Sequence, residues 1–256
     1  MPNHLDNGSD MPTVHLAWAS SNAATGSLPD GSRVLVLSEA GCGRCNTCQL
    51  RGDNFCASPV LAGKDWTATI DVERALVLPL PPQIADERAV LIPFVARITR
   101  ALRRSAEQGE GPVGIIAETE LHPLAVKLGA HTGIEITTVH AAGELNRALH
   151  LSSQPRSMEQ ALLAIGRMGF VFTSSLGEPA SALIPEYYHH MIVKESAIVG
   201  TGRPSRKDVL DAVEFLARGL VDQELVACTA MQDATSSKIA AQNHPASFPV
   251  SVTRLS

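Results

Sequence analysis

The sequence lacks a basic excess, a long apolar run and a signal peptide. Its formal charge is −5 and its pI is about 6.0, whereas phosphate binding needs concentrated lysine and arginine, so nucleic acid is excluded as a partner. The basic group Arg97, Arg100, Arg103 and Arg104 has helical spacing and is expected on a solvated face. No apolar run approaches the length of a membrane span, and MPNHLDNGSDMP does not resemble a secretory leader. We therefore expect a cytoplasmic protein without a membrane segment.

Complete disulfide pairing is also disfavoured. The chain has five cysteines, an odd number, and the expected compartment is reducing. Four of the five lie in the stretch GCGRCNTCQLRGDNFC, where Cys42, Cys45, Cys48 and Cys56 follow the pattern C-x2-C-x2-C-x7-C. The fifth, Cys228, stands alone far downstream.

Four thiolates without a histidine predict a closed tetrahedral zinc site, with one structural zinc per chain. Gly41, Gly43 and Gly52 give the backbone the freedom to wrap the four cysteines around one ion. A redox pair or an iron–sulfur cluster is the alternative, although the spacing is unlike that of ferredoxins.

The rest of the pattern indicates an α/β architecture. A chain of 256 residues with 45% hydrophobic residues can bury a sizeable core. Residues 33–37 and 74–78 are typical of strands, and 87–105 has apolar residues at helical spacing. PVGIIAE predicts a strand, LHPLAVKLGA a helix ended by Gly129, and IEITTVH a second strand, which together imply a parallel sheet. MEQALLAIGRMG is expected to form a helix, and FVFTSS and SAIVGTG further strands.

The cysteine stretch and the residues before it resemble a known family. GSRVLVLSEAGCGRCNTCQLRGDNFC is similar to the structural-zinc lobe of zinc-type medium-chain alcohol dehydrogenases, whose Gly-Cys-rich loop follows a GDRV strand and ends in Asn-x-Cys. Asn54, Phe55 and Cys56 match that ending. DVERALVLPLPPQIADERAVLIPF resembles the family's crossing into the nucleotide domain. KESAIVGTGRPSRKDVLDAVEFLARGLVD resembles the last strand of that domain and the helix that returns from it.

The resemblance implies two domains and a two-fold assembly. A Rossmann-like α/β domain would span 91–202. A mainly β, GroES-like domain, which we expect to be truncated, would span 1–90 and 203–256 and carry the zinc lobe at 41–56. The family's dimers join through the edge strand that SAIVGTG resembles, and an uncovered apolar edge is an aggregation hazard, so a homodimer is expected.

The family's catalytic zinc is not expected here. That site needs a Cys on an early strand, a later Gly-His-Glu, and a Cys or Glu near the interdomain helix. We expect the chain to begin after the first element, while His15 is followed by Leu16 rather than Glu, and Ile92 stands at the third position. A lone histidine cannot hold a catalytic zinc, and His15 is otherwise a hydrogen-bonded or surface histidine.

The family's dinucleotide site is altered in the same way. After VGIIA the turn should carry G-x-G-x-x-G, so that the backbone approaches the pyrophosphate at a helix N-terminus. This chain has AETELHP, which places Glu118 and Glu120 where the phosphates would lie. His140 stands where an acidic residue would bind the ribose. Binding of NAD(P) in the family's manner is therefore not expected.

Three hypotheses for function follow, because fold does not fix function. The first is a non-redox biosynthetic enzyme that performs acid/base chemistry, such as elimination, isomerisation or cyclisation, on a small organic molecule in the interdomain cleft. The second is an NAD(P)-dependent oxidoreductase with an atypical cofactor site. The third is a non-catalytic binding or assembly protein.

Candidate acid/base residues lie in two segments. Glu118, Glu120 and His122 follow the first parallel strand, at the edge where such sheets bind ligands. Alternatively, the glutamates cap the next helix and His122 lies in its first turn. Tyr188 and His189, in PEYYHH, are able to line a pocket and donate protons, or belong to a dimer edge or a packed strand. Asp65 and Trp66, after the zinc lobe, form a third candidate pair.

Overall fold

The computed structural model describes residues 14–18, 32–61, 76–89, 91–117, 121–139, 142–143, 145–152, 156–174, 188 and 191–221. A first sheet consists of β1 (Val14–Trp18), β2 (Arg33–Leu37) and β5 (Val77–Pro79), antiparallel and in the order β1-β2-β5. The strand predicted at 33–37 is confirmed. The strand predicted at 74–78 begins at Val77 in the described residues and extends to Pro79.

The zinc lobe is inserted between β2 and β5. It contains β3 (Glu39–Ala40), the short helix α1 (Asn46–Leu50), a single helical turn (Asp53–Phe55) and β4 (Val60–Leu61). Strands β3 and β4 pair antiparallel and close the base of the lobe.

A second sheet is parallel, as the sequence predicts. Its strands are β6 (Val113–Ala117), β7 (Ile136–Thr138), β8 (Leu145–Leu151), β9 (Ile165–Thr173) and β10 (Ala197–Gly200), in the order β10-β9-β8-β6-β7. Sequence analysis did not predict β8, which lies at the centre of this sheet.

Helices cover both faces of the parallel sheet. The helices are α2 (Asp86–Ala89), α3 (Ile92–Ala106), α4 (Leu121–Thr132), α5 (Ser157–Ala164) and α6 (Arg206–Ala217). Leu149 and Phe172 belong to the core that α3, α4 and α6 share, whereas the adjacent Ala148 and Val171 belong to the core beneath α5. This alternation explains why the sheet's central strands are buried on both sides. Among the described helices, none is long and apolar enough to cross a membrane.

The connection from β7 to β8 is unusually short. Only residues 139–144 separate the two parallel strands, which lie on opposite sides of β6. A crossover between parallel strands normally takes a dozen residues or more. Gly114 of β6 accommodates this path, because a β-carbon there would lie 2.3 Å from Cδ1 of Leu145 and 3.1 Å from Cγ2 of Val139.

Three predicted boundaries are wrong. Gly129 does not end its helix: α4 continues to Thr132, and Gly133 follows with a φ of +73°. Gly129 is needed instead for a close approach, since a β-carbon there would lie 2.8 Å from the carbonyl oxygen of Ile134. The helix predicted through Gly169 ends at Ala164, after which β9 begins. The helix predicted over 87–105 is divided into α2 and α3.

Candidate functional site

The local backbone of the zinc lobe brings its cysteines together. Cys45 lies immediately before α1, and its sulfur accepts a hydrogen bond from the backbone N–H of Cys48 at 3.4 Å. Gly43 and Gly52 have φ values of +70° and +113°, which confirms their predicted role. Gly41 is required for a different reason, because a β-carbon there would lie 2.5 Å from the carbonyl oxygen of Asp53.

The four sulfurs converge as the spacing predicts. The Sγ atoms of Cys42, Cys45, Cys48 and Cys56 all lie within 4.8 Å of one another. The Sγ atoms of Cys42 and Cys48 are 3.9 Å apart, and those of Cys45 and Cys56 are 4.0 Å apart. A tetrahedron of sulfurs at the usual Zn–S distance has edges of about 3.8 Å. The donor set therefore fits zinc in both chemistry and separation.

The electrostatics of the cluster also favour a bound cation. Backbone N–H groups of Arg44 and Cys45 lower the pKa of Cys42 to about 6, whereas desolvation and the neighbouring thiols raise the pKa of Cys48 to about 12. One thiolate forms readily, and a second beside it is strongly disfavoured. A divalent metal ion reverses this because it stabilises every coordinating thiolate.

The lobe is fastened to the region where β10 leads into α6. The carboxylate of Asp53 accepts a bifurcated hydrogen bond, at 3.0 and 3.1 Å, from the backbone N–H of Arg206 in the first turn of α6. The guanidinium of Arg203 donates to the carbonyl oxygens of Asn54 (3.1 Å) and Asp53 (3.2 Å), and also pairs with Glu39 at 2.5 Å. The metal-binding loop thus contributes directly to the packing of the last described helix.

A second candidate site lies at the C-terminal edge of the parallel sheet. Strands β6, β8 and β9 end there at Ala117, Leu151 and Thr173. A small cavity at this edge is lined by Phe94, Arg97, Ile98, Leu121, Leu151 and Ser174. We call it the sheet-edge crevice. Ligands of open α/β sheets bind at this edge.

Beside the crevice, buried polar side chains fix the ends of β8 and β9. The ring of His150 bonds to Ser157 at 2.7 Å through Nε2 and to Thr173 at 3.0 Å through Nδ1. His150 and Ser157 are both almost fully buried. We interpret this group as a packing element rather than a nucleophile with its base, because a nucleophile must be reached by its substrate.

The structure describes two of the five predicted acid/base residues. His122 is the second residue of α4, which confirms that it lies in the first helical turn, and its buried Nε2 has no hydrogen-bond partner among the described residues. Tyr188 is helical and 64% exposed, so it does not line a buried pocket. The other candidates, Glu118, Glu120 and His189, lie outside the described residues, as do His140, Asp65 and Trp66.

Two positions that matter for a catalytic zinc are described in part. Ile92 is the first residue of α3 and is fully buried among apolar side chains. His15 belongs to β1, where its backbone lies opposite Val36 of β2. Among the described residues, the four cysteines are the only group of metal-ligand side chains close enough to hold an ion.

The basic group on α3 is not a solvated face, so that prediction is wrong. Arg100 is only 7% exposed; it bonds to the carbonyl oxygen of Thr201 and to the fully buried Asp208. Arg103 pairs with Asp208 at 2.7 Å and with Asp211 at 2.5 Å. These arginines bind α3 to α6 through buried carboxylates. The apolar neighbours of Arg97 and Arg100 on the helix were a signal that they face inward.

Comparison with known proteins agrees with this architecture. No protein-family model matches the chain. Sorbitol dehydrogenase of Bacillus subtilis is 29% identical over 244 residues, which cover 78% of this chain and 68% of that protein. The chain is thus similar to zinc-dependent medium-chain dehydrogenases and has the fold of that family. Its α/β domain is the family's Rossmann-like domain, and its β1-β2-β5 sheet with the zinc lobe is the GroES-like part.

Solved structures show the same fold at low sequence identity. A putative zinc-binding dehydrogenase from Sinorhizobium meliloti, determined bound to NADP, has a TM-score of 0.60 at 14% identity and covers 90% of this chain and 78% of its own. Alcohol dehydrogenase from Thermotoga maritima has a TM-score of 0.57 at 14% identity, with coverage of 79% and 69%.

The nucleotide-type sheet departs from the six-stranded arrangement of dinucleotide-binding folds. Those sheets have the strand order 3-2-1-4-5-6. Here β6 and β7 correspond to strands 1 and 2, and β8, β9 and β10 to strands 4, 5 and 6. The six residues 139–144 leave no room for strand 3 and its helix before β8 begins. The sequence pattern did not predict this shortening, because β8 does not stand out in it.

Proposed function

We propose that this chain uses the alcohol dehydrogenase-like scaffold for non-redox acid/base chemistry on a small organic molecule, by elimination, isomerisation or cyclisation. The observation that carries the proposal is the turn between β6 and α4. It has only three residues, Glu118, Thr119 and Glu120, and contains no glycine. A dinucleotide needs this turn to present backbone N–H groups to its pyrophosphate. Two carboxylates repel that group instead.

Other observations support the same proposal. The buried Ile92 offers no ligand at the position where the family places one of its catalytic zinc ligands. The shortened β7–β8 connection removes one strand–helix unit from the nucleotide-binding half of the sheet. If the chain binds neither a catalytic zinc nor a nicotinamide ring, as we propose, it would have no means of transferring a hydride.

Acid/base chemistry at the sheet-edge crevice would use His122. Its Nε2 is buried without a hydrogen-bond partner in the part of the chain that the structure describes, and the adjacent Leu121 lines the crevice. An imidazole is able to take up or release a proton near neutral pH. Glu118 and Glu120, next to it in sequence, are the candidate partners that would orient or protonate the ring.

The second candidate function is an NAD(P)-dependent oxidoreductase with an atypical cofactor site. It is favoured by the similarity to sorbitol dehydrogenase and to a dehydrogenase determined with NADP. A saturable rise in the melting temperature (Tm) with NAD, NADH, NADP or NADPH would make it the leading function. We expect no such rise at millimolar concentrations, whereas a ligand at one hundred times its Kd would raise Tm by about 5–10 °C.

The double variant Glu118→Gly, Glu120→Gly tests the reason for this expectation. If the carboxylates exclude the pyrophosphate, the variant gains some affinity for NAD or NADP that the unaltered protein lacks. Binding by the unaltered protein, equal to that of the variant, would contradict the proposal.

Proton exchange in D2O tests the chemistry without knowledge of the net reaction. Incubation with a panel of small carboxylic and keto acids, followed by proton NMR, reports deuterium uptake at carbon. We expect uptake into at least one compound, and a loss of about 100-fold or more in His122→Gln. The matched control is His131→Gln, which changes an exposed histidine in the last turn of the same helix. No exchange with any compound, or no effect of His122→Gln, counts against the enzyme and favours a binding or assembly protein.

A further inference from the structure

The cysteines of the zinc lobe are within reach of solvent. Cys42, Cys45 and Cys48 are each partly exposed, whereas Cys56 is buried, with 9% of its surface exposed. Deeply buried structural cysteines are inert, but an oxidant in solution reaches a thiolate that is partly exposed. A cysteine that coordinates a metal ion is held as the thiolate, which is the form that oxidants attack. Three of the four cysteines therefore have both properties that oxidation needs.

The four sulfurs also form two neighbouring pairs. The Sγ atoms of Cys42 and Cys48 are 3.9 Å apart, and those of Cys45 and Cys56 are 4.0 Å apart. These two pairs use each sulfur once. A sulfenic acid on one cysteine condenses with a neighbouring thiol to give a disulfide. Each cysteine of the cluster thus has a partner close enough for this second step.

One of the pairs is directly connected to the contacts between the lobe and two helices. The turn Asp53–Phe55 ends at Cys56, whose backbone N–H donates to the carbonyl oxygen of Asp53 at 3.2 Å. The carboxylate of Asp53 accepts from the backbone N–H of Arg206 at the start of α6. The guanidinium carbon of Arg100, on α3, lies 5.4 Å from the centroid of the Phe55 ring. A displacement of Cys56 therefore moves the residues that contact α3 and α6.

We propose that the zinc lobe is a redox switch, in which a hydroperoxide converts the four thiolates into two disulfides, Cys42–Cys48 and Cys45–Cys56, and thereby releases the zinc and loosens the start of α6. This inference does not depend on the proposed acid/base chemistry. It assigns the lobe a regulatory role in addition to its structural one.

The chemistry of each pair balances with hydrogen peroxide as the oxidant. One thiolate attacks a peroxide oxygen and becomes a sulfenic acid, and the partner thiolate then displaces hydroxide from that sulfur. Each disulfide therefore consumes one peroxide and two protons and yields two molecules of water. The two sulfurs lose two electrons, which the peroxide gains. Because the thiolate is the metal ligand, a cluster without thiolates no longer holds the divalent ion.

Disulfide formation also requires a local rearrangement. A disulfide joins sulfurs about 2 Å apart, so the sulfurs of Cys45 and Cys56 have to approach each other by about 2 Å. Since Cys56 ends the Asp53–Phe55 turn, we expect this approach to draw Asp53 away from Arg206. Reduction by a dithiol in the presence of zinc reverses the change, because thiols cleave disulfides by exchange.

The test uses the zinc-loaded full chain carrying Cys228→Ser, so that the cluster holds all of its thiols. Hydrogen peroxide is added in measured amounts, zinc release is followed with a chromogenic chelator, and disulfides are mapped by mass spectrometry after free thiols are blocked. We expect two equivalents of peroxide to release the zinc and to produce the two named disulfides. Dithiothreitol with zinc sulfate should restore the four thiols and the bound metal.

Hydrogen exchange of the Arg206 amide reports on the coupling to α6. The first residue of a helix has no acceptor within that helix, so the protection of this amide depends on Asp53. We expect its exchange to become about tenfold faster, or more, after oxidation. The matched control is Asp53→Ala, which should release zinc in the same way but show fast exchange at Arg206 before and after oxidation.

Several outcomes would overturn the inference. Zinc that stays bound in peroxide, or zinc release with sulfinic and sulfonic acids that dithiothreitol does not reverse, would show that the lobe is not a switch. A disulfide between Cys45 and Cys48 would contradict the pairing. Exchange at Arg206 that is unchanged in the oxidised protein would contradict the coupling to α6.

Discussion

Loss of zinc from the lobe should weaken the attachment of α6, because several polar contacts join the lobe to the start of this helix. In Cys45→Ser the tetrahedral site loses one sulfur, and α1 loses the acceptor for the backbone N–H of Cys48. We expect the variant to lose its zinc. The segment between Cys48 and Cys56 would then no longer be held in place by the metal. Its residues Asp53 and Asn54 would lose their contacts with Arg203 and Arg206.

The expected cost follows from the interactions that the lobe makes with the start of α6. Hydrogen bonds from Arg206 to the carboxylate of Asp53 contribute about 1.5–3 kcal/mol, and those from Arg203 to two carbonyl oxygens about 1 kcal/mol each. The half-exposed pair of Arg203 with Glu39 adds up to about 1 kcal/mol. The sum is about 3–6 kcal/mol. For a chain of this size, it corresponds to a fall in Tm of roughly 6–24 °C.

Scanning calorimetry with a zinc assay measures both effects in one preparation. The control is Cys228→Ser, which alters the cysteine outside the cluster and should keep its zinc and its Tm. Asp53→Ala provides a second check: its cost should be about 1.5–3 kcal/mol in the unaltered protein and much smaller in Cys45→Ser, because the two changes act on one junction. A Cys45→Ser protein that lacks zinc but melts within about 2 °C of the unaltered protein would refute the reasoning.

Three other predictions concern the sheet and its helices. Asp208→Ala removes a fully buried carboxylate that accepts hydrogen bonds from Ser205 at 2.6 Å and Arg103 at 2.7 Å. Denaturant unfolding should show that the free energy of unfolding falls by about 3–5 kcal/mol. A fall of less than about 1 kcal/mol would be inconsistent with a buried ion pair. Gly114→Val should destabilise the chain, because the new side chain would clash with Leu145 and Val139. Gly200→Ala is the control and should not destabilise it, because a β-carbon there meets nothing within 4 Å. Equal Tm values for the two variants would show that the β7–β8 connection does not cross over Gly114. We also propose a homodimer joined through β10, an edge of the described sheet. Light scattering should report two chains at micromolar concentration and one chain in Ile198→Pro, since the N–H of Thr201 faces β9 and that of Ile198 therefore faces the free edge. A monomeric unaltered protein would contradict the proposal.

The elements that could be predicted from sequence are those that local chemistry determines. The cysteine spacing predicted the convergence of four sulfurs, because the ligands lie within one short loop and need no distant partner. The apolar runs around β2, β6, β9 and β10 identified their strands for a similar reason. β2, β6 and the end of β9 are largely buried and therefore contain few polar residues, whereas β10 is an apolar edge strand that is only partly buried.

The unpredicted strand β8 shows where this reasoning fails. Its sequence LNRALHL contains Arg147 and His150, which interrupt the apolar pattern, although both are 3% exposed. Arg147 is accommodated because its guanidinium donates to the carbonyl oxygens of Ser105 (2.8 Å), Gly109 (2.5 Å) and Gly111. These acceptors lie in the last turn of α3 and in the segment that leads from it to β6, more than 30 positions earlier in the chain. Pattern analysis does not detect a partner so distant in sequence.

The candidate site was predicted in part for the same reason. The position of His122 at the sheet edge follows from the strand–turn–helix pattern, which is local. Whether Glu118, Glu120, Tyr188 and His189 act with His122 stays a prediction, as do the domain limits and the cytoplasmic location.

Zinc content and coordination test the central claim most directly, namely that this chain keeps the family's structural zinc without a catalytic one. Elemental analysis of the purified protein should give one zinc per chain, and X-ray absorption should show four sulfur ligands at about 2.3 Å. Two zincs per chain, with nitrogen or oxygen ligands contributing to the second, would contradict the claim and restore hydride transfer as the leading function.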